Sequence, residues 1–264
     1  MHRTASQRRV LWPALLSAAL VAGLAPGPVL GQPYTDQQIK RLALDALRES
    51  PELVLEIIRA NPEVVTQAVA ILQERERAQQ AQAAQAALAT HRDALLHPPH
   101  GPVLGNPEGD VTIVEFFDYN CGYCRRSSRV LHDLLKADDQ VRVLLREWPI
   151  LGEGSRFAAR ASLAAQQQDQ YQAFHRALMD LPGEATEANV VSTARTLGLD
   201  VEKLRRDMTA PEVDAHLERS DQLARALSIT GTPAFVVGNT LVPGFTSLER
   251  LQELVQQSRA AGLR

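Results

Sequence analysis

The chain has 264 residues, 45% of them hydrophobic, with 28 Lys and Arg against 31 Asp and Glu. That is enough apolar content for one good-sized domain plus an extra segment, and a formal charge of −3 with few aromatics excludes a basic or base-stacking nucleic-acid surface. Only two cysteines are present, both in one motif, so there is no disulfide framework, and a bridge between them closes a loop too small to add much stability.

At the N-terminus, Arg3, Arg8 and Arg9 precede an apolar run from Val10 to about Leu24. Val29-Leu30-Gly31 then offers small or modest residues before a cut at Gln32, so residues 1–31 read as a secretory signal peptide. A membrane-spanning helix needs ~20 apolar residues, and Pro13, Gly23, Pro26 and Pro28 interrupt this run. No cysteine lies near the cut to carry a lipid. Removing residues 1–31 takes away three arginines and no acid, moving the net charge from −3 to −6. The expected location is the periplasm or the cell exterior, where disulfide chemistry persists.

Residues 32–100 read as a helical extension. Thr35-Asp36 is a start signal, and Ile39, Leu42, Ala43, Ala46 and Leu47 share one helical face. Ser50-Pro51-Glu52 and Asn61-Pro62-Glu63 each supply a capping residue, a proline at the first helical position and an acid in the first turn. These predict two short helices, then a helix that can run unbroken from Pro62 to His97, about 50 Å at 1.5 Å per residue. Its Gln/Ala-rich tract from Ala78 to Ala89 has few large side chains to bury. Such a helix reads as an oligomerisation stalk, with a solvated linker helix as the other reading.

His97-Pro98-Pro99-His100-Gly101-Pro102 ends the helix and marks the boundary of a domain over residues 101–264. His97 and His100 lack a companion cysteine or acid nearby, so they read as linker and not as metal ligands. His91, His132, His175 and His216 are scattered over helical stretches and read as structural.

Val111–Phe117 is a β-branched and aromatic run broken only by Glu115, and Cys121-Gly122-Tyr123-Cys124 then opens a helical stretch reaching Lys136. Two thiols therefore sit at a strand-to-helix turn. Unpaired N–H groups and the positive end of the helix dipole stabilise a thiolate there, Cys121 above all. A short strand, Val141–Leu145, follows and forms a right-handed parallel crossover with the first. Ser155–Leu227 is helical, with breaks at Leu181-Pro182-Gly183, Gly198 and Pro211. Ala234–Val237, the turn Gly238-Asn239 and Thr240–Val242 make a hairpin, and Ser247 caps a last helix from Leu248 to about Ala260. The class is α/β.

This arrangement, with Gly231-Thr232-Pro233 ahead of the hairpin and Trp148-Pro149-Ile150-Leu151-Gly152 with Ser155 and Ala158-Ala159 before the insertion, resembles the thioredoxin fold with a helical insertion. In particular it resembles the DsbA family of secreted thiol-disulfide oxidoreductases. The segment Thr35–Val65 resembles the N-terminal extension of the ScsC (suppressor of copper sensitivity protein C) and Com1-like branch, in which such helices mediate self-association. The resemblance implies that Cys121 is the nucleophile and Cys124 the resolving thiol. It also implies that Glu115, six residues ahead of Cys121, is a buried acid assisting proton transfer.

Gly122 and Tyr123 depart from the Pro-His of DsbA and match the Gly-Tyr of the isomerase DsbC, so a strongly oxidising potential does not follow. Thr232-Pro233 matches the family's cis-proline loop, whose backbone pairs with substrate, and Thr232 again resembles the isomerase. The resemblance thus implies disulfide formation, reduction or isomerisation in unfolded or misfolded secreted proteins, with isomerase or reductase favoured. It further implies a membrane redox partner that recycles the dithiol, a homo-oligomer built by the N-terminal helices, and no cofactor or metal. The rival reading is a periplasmic copper- or zinc-binding protein using the same cysteines without turnover, although zinc wants four ligands and no second pair exists.

Overall fold

A computed structural model describes residues 34–263; the expected signal peptide and its cut before Gln32 lie outside the described residues. Contacts divide the chain into two compact units, one ending at Ala68 and the other starting at Val69. In the first, Thr35 caps α1 (Asp36–Glu49) through a capping box. Its hydroxyl accepts the Gln38 N–H, and its own N–H donates to Gln38 Oε1 at 2.9 Å. Pro51 opens α2 (Pro51–Ala60), and α3 (Glu63–Leu96) leads from this unit into the second. No side chain of α1 or α2 is buried.

The second unit is built on a five-stranded sheet ordered β1-β3-β2-β4-β5. The strands are β1 (Val103–Gly105), β2 (Val111–Phe117), β3 (Val141–Glu147), β4 (Ala234–Val237) and β5 (Thr240–Pro243). The β2–β3 pair is parallel, from Val111 opposite Val141 to Phe117 opposite Glu147, and is linked by α4 (Gly122–Ala137). All other pairs are antiparallel. Between β3 and β4 come α5 (Glu153–Ala165), a 3-10 turn, α6 (Tyr171–Met179), α7 (Glu187–Thr196), α8 (Val201–Asp207) and α9 (Pro211–Ala226). The chain then closes with α10 (Leu248–Ala260), whose N-cap Ser247 accepts the Arg250 N–H. Among the described residues, no helix is long and apolar enough to cross a membrane.

Every residue of β2 is buried, because helices cover both faces of the sheet. On one face Ile113 and Phe117 pack with Val143, Leu145, Phe235, Leu131 and Leu254. On the other, Val114 and Phe116 pack with Leu144, Trp148, Val236 and Leu223 and with Leu88 and Leu95 of α3. The last turns of α3 are therefore core, which the small-residue tract before them does not announce.

Two features differ from the expectation. β1 is a three-residue edge strand after Pro102, too short to carry a period, and its Gly105 has φ +74° in close approach to the Val141 carbonyl. β3 continues two residues past Leu145, through Arg146 and Glu147, both ionisable and both buried. Arg146 donates to the carbonyls of Ala94 and Leu95 at the end of α3, where the negative pole of the helix receives it. Glu147 accepts from the hydroxyls of Tyr119 and Tyr171 at 2.9 and 2.8 Å. Remote partners thus let ionisable side chains finish a strand.

Candidate active site

The β2–α4 connection sets the site. β2 ends at Phe117, Asp118 to Asn120 turn the chain, and Cys121 is the N-cap of α4 with φ −81° and ψ 114°. The turn is held by Asp118, which is buried. Its Oδ1 accepts the Asn120 N–H and the Ser155 hydroxyl, each at 2.7 Å, and its Oδ2 accepts the N–H groups of Ile150 and Leu151 at 2.8 and 2.9 Å. Asn120 extends the tie, donating to Ser155 Oγ and accepting the Ala185 N–H. Arg125, in the first turn of α4, donates to the carbonyls of Tyr119, Leu181 and Gly183 and fastens the helical insertion to the same turn.

Across from α4 the Thr232–Pro233 peptide is cis, and the Cys121 thiol donates to the Thr232 carbonyl at 3.2 Å. This brings Cys121, Cys124, Thr232 and Pro233 together, with Gly122 and Tyr123 exposed on the first turn of α4. A Cβ at Gly122 would meet nothing within 4 Å.

The two thiols are pushed in opposite directions. Cys121 is lowered from its ordinary value to about 5, chiefly by a hydrogen bond from the Cys124 thiol and then by the Thr232 hydroxyl and the amides of Cys124 and Tyr123; burial opposes them. Cys124 is fully buried. Burial first, then its hydrogen bond to Cys121 and the charge of Glu115, lift it far above the ordinary thiol range. Glu115 is buried and is pushed up to about 8 by burial first and by the Cys121 charge second. Its Oε1 has no hydrogen-bond partner among the described residues. A nucleophilic sulfur at the start of α4, only 8% exposed, a protonated thiol behind it and a neutral buried carboxyl form a set fit for thiol-disulfide exchange.

Around the dithiol, the sequence singles out Tyr123, Ile150 and Leu151, but not Phe245, Arg126 or the partners of Tyr119. Tyr123, Phe245, Ile150 and Leu151 are large apolar side chains left exposed. Arg126 lies over the rings of Tyr123 and Phe245, 4.4 and 5.1 Å from their centroids, joining α4 to the loop after β5. Beneath the turn, the Tyr119 hydroxyl meets Glu147, Ser162 and His175 at 2.9, 2.7 and 3.0 Å. Chain position offered no sign of these pairings; the alternation of Glu115 with Ile113 and Phe117 puts that carboxyl on their face of the sheet.

Fold and site together define a thiol-disulfide oxidoreductase on a thioredoxin scaffold. Residues 112–256, more than half of the chain, match the DSBA-like thioredoxin domain, and the chain belongs to that family. A thioredoxin-like oxidoreductase from Silicibacter pomeroyi is similar in structure, with 58% identity and a TM-score of 0.63, over 64% of this chain and 98% of that one. The catalytic domain of Proteus mirabilis ScsC is 29% identical with a TM-score of 0.62, over 67% and 98% of the two chains. The probable disulfide bond formation protein D of Bacillus anthracis is 26% identical, over 56% of this chain and 74% of that protein. Other curated relatives are larger: the match spans 26% of a Na(+)/H(+) antiporter, NhaA 3, of Salinispora tropica, at 27% identity.

Proposed function

We propose that this chain is a periplasmic protein-disulfide isomerase or reductase in which Cys121 is the nucleophile, Cys124 the resolving thiol and Glu115 the proton carrier. The observation that carries the reading is the opposed displacement of the two thiols beside the Thr232 carbonyl. The Cys121 thiolate attacks one sulfur of a substrate disulfide; a mixed disulfide forms and the other substrate sulfur leaves as a thiolate. In isomerisation that thiolate attacks another bond of the substrate, and Cys121 is finally expelled unchanged. In reduction Cys124 attacks Cys121, the second substrate sulfur leaves, and the enzyme keeps the Cys121–Cys124 disulfide.

Cys124 must lose its proton for that second attack, and the first attack makes Glu115 a better acceptor for it. While Cys121 is a thiolate, its charge helps hold Glu115 protonated. Once Cys121 is tied in the mixed disulfide that charge is gone and the Glu115 pKa falls part of the way, to what burial alone sets; Glu115 then gives its proton to the departing substrate thiolate, and the carboxylate so formed takes the Cys124 proton. Gly122 and Tyr123 tune the pair, and the backbone at Thr232 and Pro233 pairs with substrate.

The substrates are unfolded or misfolded secreted proteins, received on the exposed Tyr123, Phe245, Ile150 and Leu151. A membrane redox partner returns the dithiol to its working form. Leu42, Leu53, Ile57, Val65 and Leu72 lie exposed on α1, α2 and the start of α3. A second copy of the chain covers them, so that several sites face one substrate.

Refolding of scrambled ribonuclease tests the activity: recovery lost in Cys121→Ala is expected, and tight copper(I) binding with no recovery in the unaltered protein sinks it. Sedimentation of the full chain carrying Leu53→Lys and Ile57→Lys tests the assembly, and a monomer before and after substitution ends that part. Deleting all of residues 32–100 is a poor test, because it removes Leu88 and Leu95 from the core.

A further inference from the structure

A cavity of about 560 Å³ opens at the N-terminus of α9. It is lined by His100, Gln166, His216, Arg219 and the first turn of α9 from Ala210 to Val213. Pro211 opens this 16-residue helix and has no N–H, the Val213 N–H is taken by the Ala210 carbonyl at 3.0 Å, and Ala210, the N-cap, has no side chain to accept the remaining Glu212 N–H. The positive end of the helix therefore faces the cavity without a cap.

His216 is 3% exposed, yet neither ring nitrogen has a hydrogen-bond partner among the described residues. The same holds for Arg219 Nε and for the buried hydroxyl of the adjacent Ser220. Behind His216 lies Arg146, fully buried, with Nε and Nη1 unpartnered while Nη2 serves the carbonyls that end α3. Burial, then the charges of Arg146 and Arg219, keep the His216 pKa down at about 3, so the imidazole is neutral. Of the two acids on the cavity wall, Asp207 is engaged by Lys203 at 2.5 Å and Glu212 is exposed at the rim.

On the cavity wall one guanidinium, a neutral imidazole and an uncapped helix start have no carboxylate paired to them among the described residues, and with the Arg146 guanidinium adding positive charge behind them they suit an anion. We propose that this cavity binds a small oxyanion, through a phosphate or carboxylate group held by Arg219, His216 and the Glu212 N–H at the start of α9. Its volume suits a metabolite-sized ligand as well as the bare ion. None of these residues belongs to the dithiol site, so the proposal stands whether or not the chain proves to be an isomerase.

Calorimetric titration of the full chain with inorganic phosphate and, separately, with citrate, each against chloride at equal ionic strength, tests it. Saturable binding of either is expected; the better binder tells a phosphate group from a carboxylate. Arg219→Gln should weaken binding about tenfold or more, since it removes a charge-assisted hydrogen bond. Glu212→Gln should tighten it about two- to threefold by removing a like charge from the rim. Both variants should keep the parent's equilibrium with glutathione, which shows that the fold is intact. No saturable binding of either ion to the unaltered chain, or binding that neither substitution moves, overturns the site.

Discussion

The hydroxyl of Thr232 is the most direct handle on the potential of the dithiol. Lowering Cys121 from 9.0 to about 5 corresponds to a thiolate preference on the order of 5 kcal/mol before screening. The sulfur lies where substrate must reach it, so solvent screens it and about half of that is the working figure. The Cys124 thiol, the Thr232 hydroxyl and the amides of Cys124 and Tyr123 share it, which leaves about 1 kcal/mol for the hydroxyl. Thr232→Val removes that donor and keeps the carbonyl that meets Cys121 at 3.2 Å. The Cys121 pKa should rise by somewhat under one pH unit. Because the sulfur is still ionised at pH 7, the loss falls wholly on the reduced form, and the potential should become more reducing by about 20 mV. Thiolate absorbance against pH gives the first quantity, and equilibration with glutathione gives the second. An unchanged pKa, or a potential that moves the other way, would refute the claim that donors to the thiolate set the redox balance.

Other substitutions test neighbouring links. Cys124→Ala removes the largest contributor to the low Cys121 pKa, so the Cys121 midpoint should climb by about one pH unit, read by the same absorbance. Glu115 holds its proton up to about pH 8 when folded but releases it near 4.5 when unfolded. The folded state therefore binds more protons across that window, and stability of the reduced protein should fall as pH rises from 4.5 to 8. In Glu115→Gln that slope should flatten in urea titrations, and Cys124 should release a preformed mixed disulfide about a hundredfold more slowly in stopped flow, with attack by Cys121 unchanged. Leu95→Ala should cost about 2–5 kcal/mol in urea unfolding, since Leu95 is 2% exposed against Leu144 and Trp148; a surface-sized change would mean that the end of α3 is not core.

What could be read from the sequence was what local signals specify. The strand, the turn and the helix of Val111–Lys136, the hairpin at Gly238-Asn239 and the last helix under Ser247 each carry their own period, break or cap. The burial of Glu115 followed from the family resemblance, which puts an acid six residues ahead of Cys121. The residues that hold the site in shape were silent because their partners lie far along the chain: Asp118 meets Ser155, and Glu147 meets Tyr171. Arg146 and Glu147 even argued against the strand that contains them, since a charged pair reads as a strand end until the tyrosines and the α3 carbonyls are placed around it.

Three carboxyl groups lie buried around the dithiol, and the donors each one meets separate their roles. Asp118 receives four donors on its two oxygens, so it is bound into the turn ahead of Cys121 and ties it to the segment from Ile150 to Ser155. Glu147 meets two tyrosine hydroxyls on one oxygen and none on the other, and burial raises its pKa well above the ordinary range. It is an acid held neutral at the bottom of a hydrogen-bonded cluster. Glu115 has an oxygen without any donor and feels the charge on Cys121 directly. A carboxyl tied by donors cannot change protonation without breaking them, whereas one left free responds to the charge beside it. Of the three, only Glu115 combines that freedom with electrostatic contact to both thiols, and this is the ground on which we propose it as the carrier of the proton released in the second exchange step.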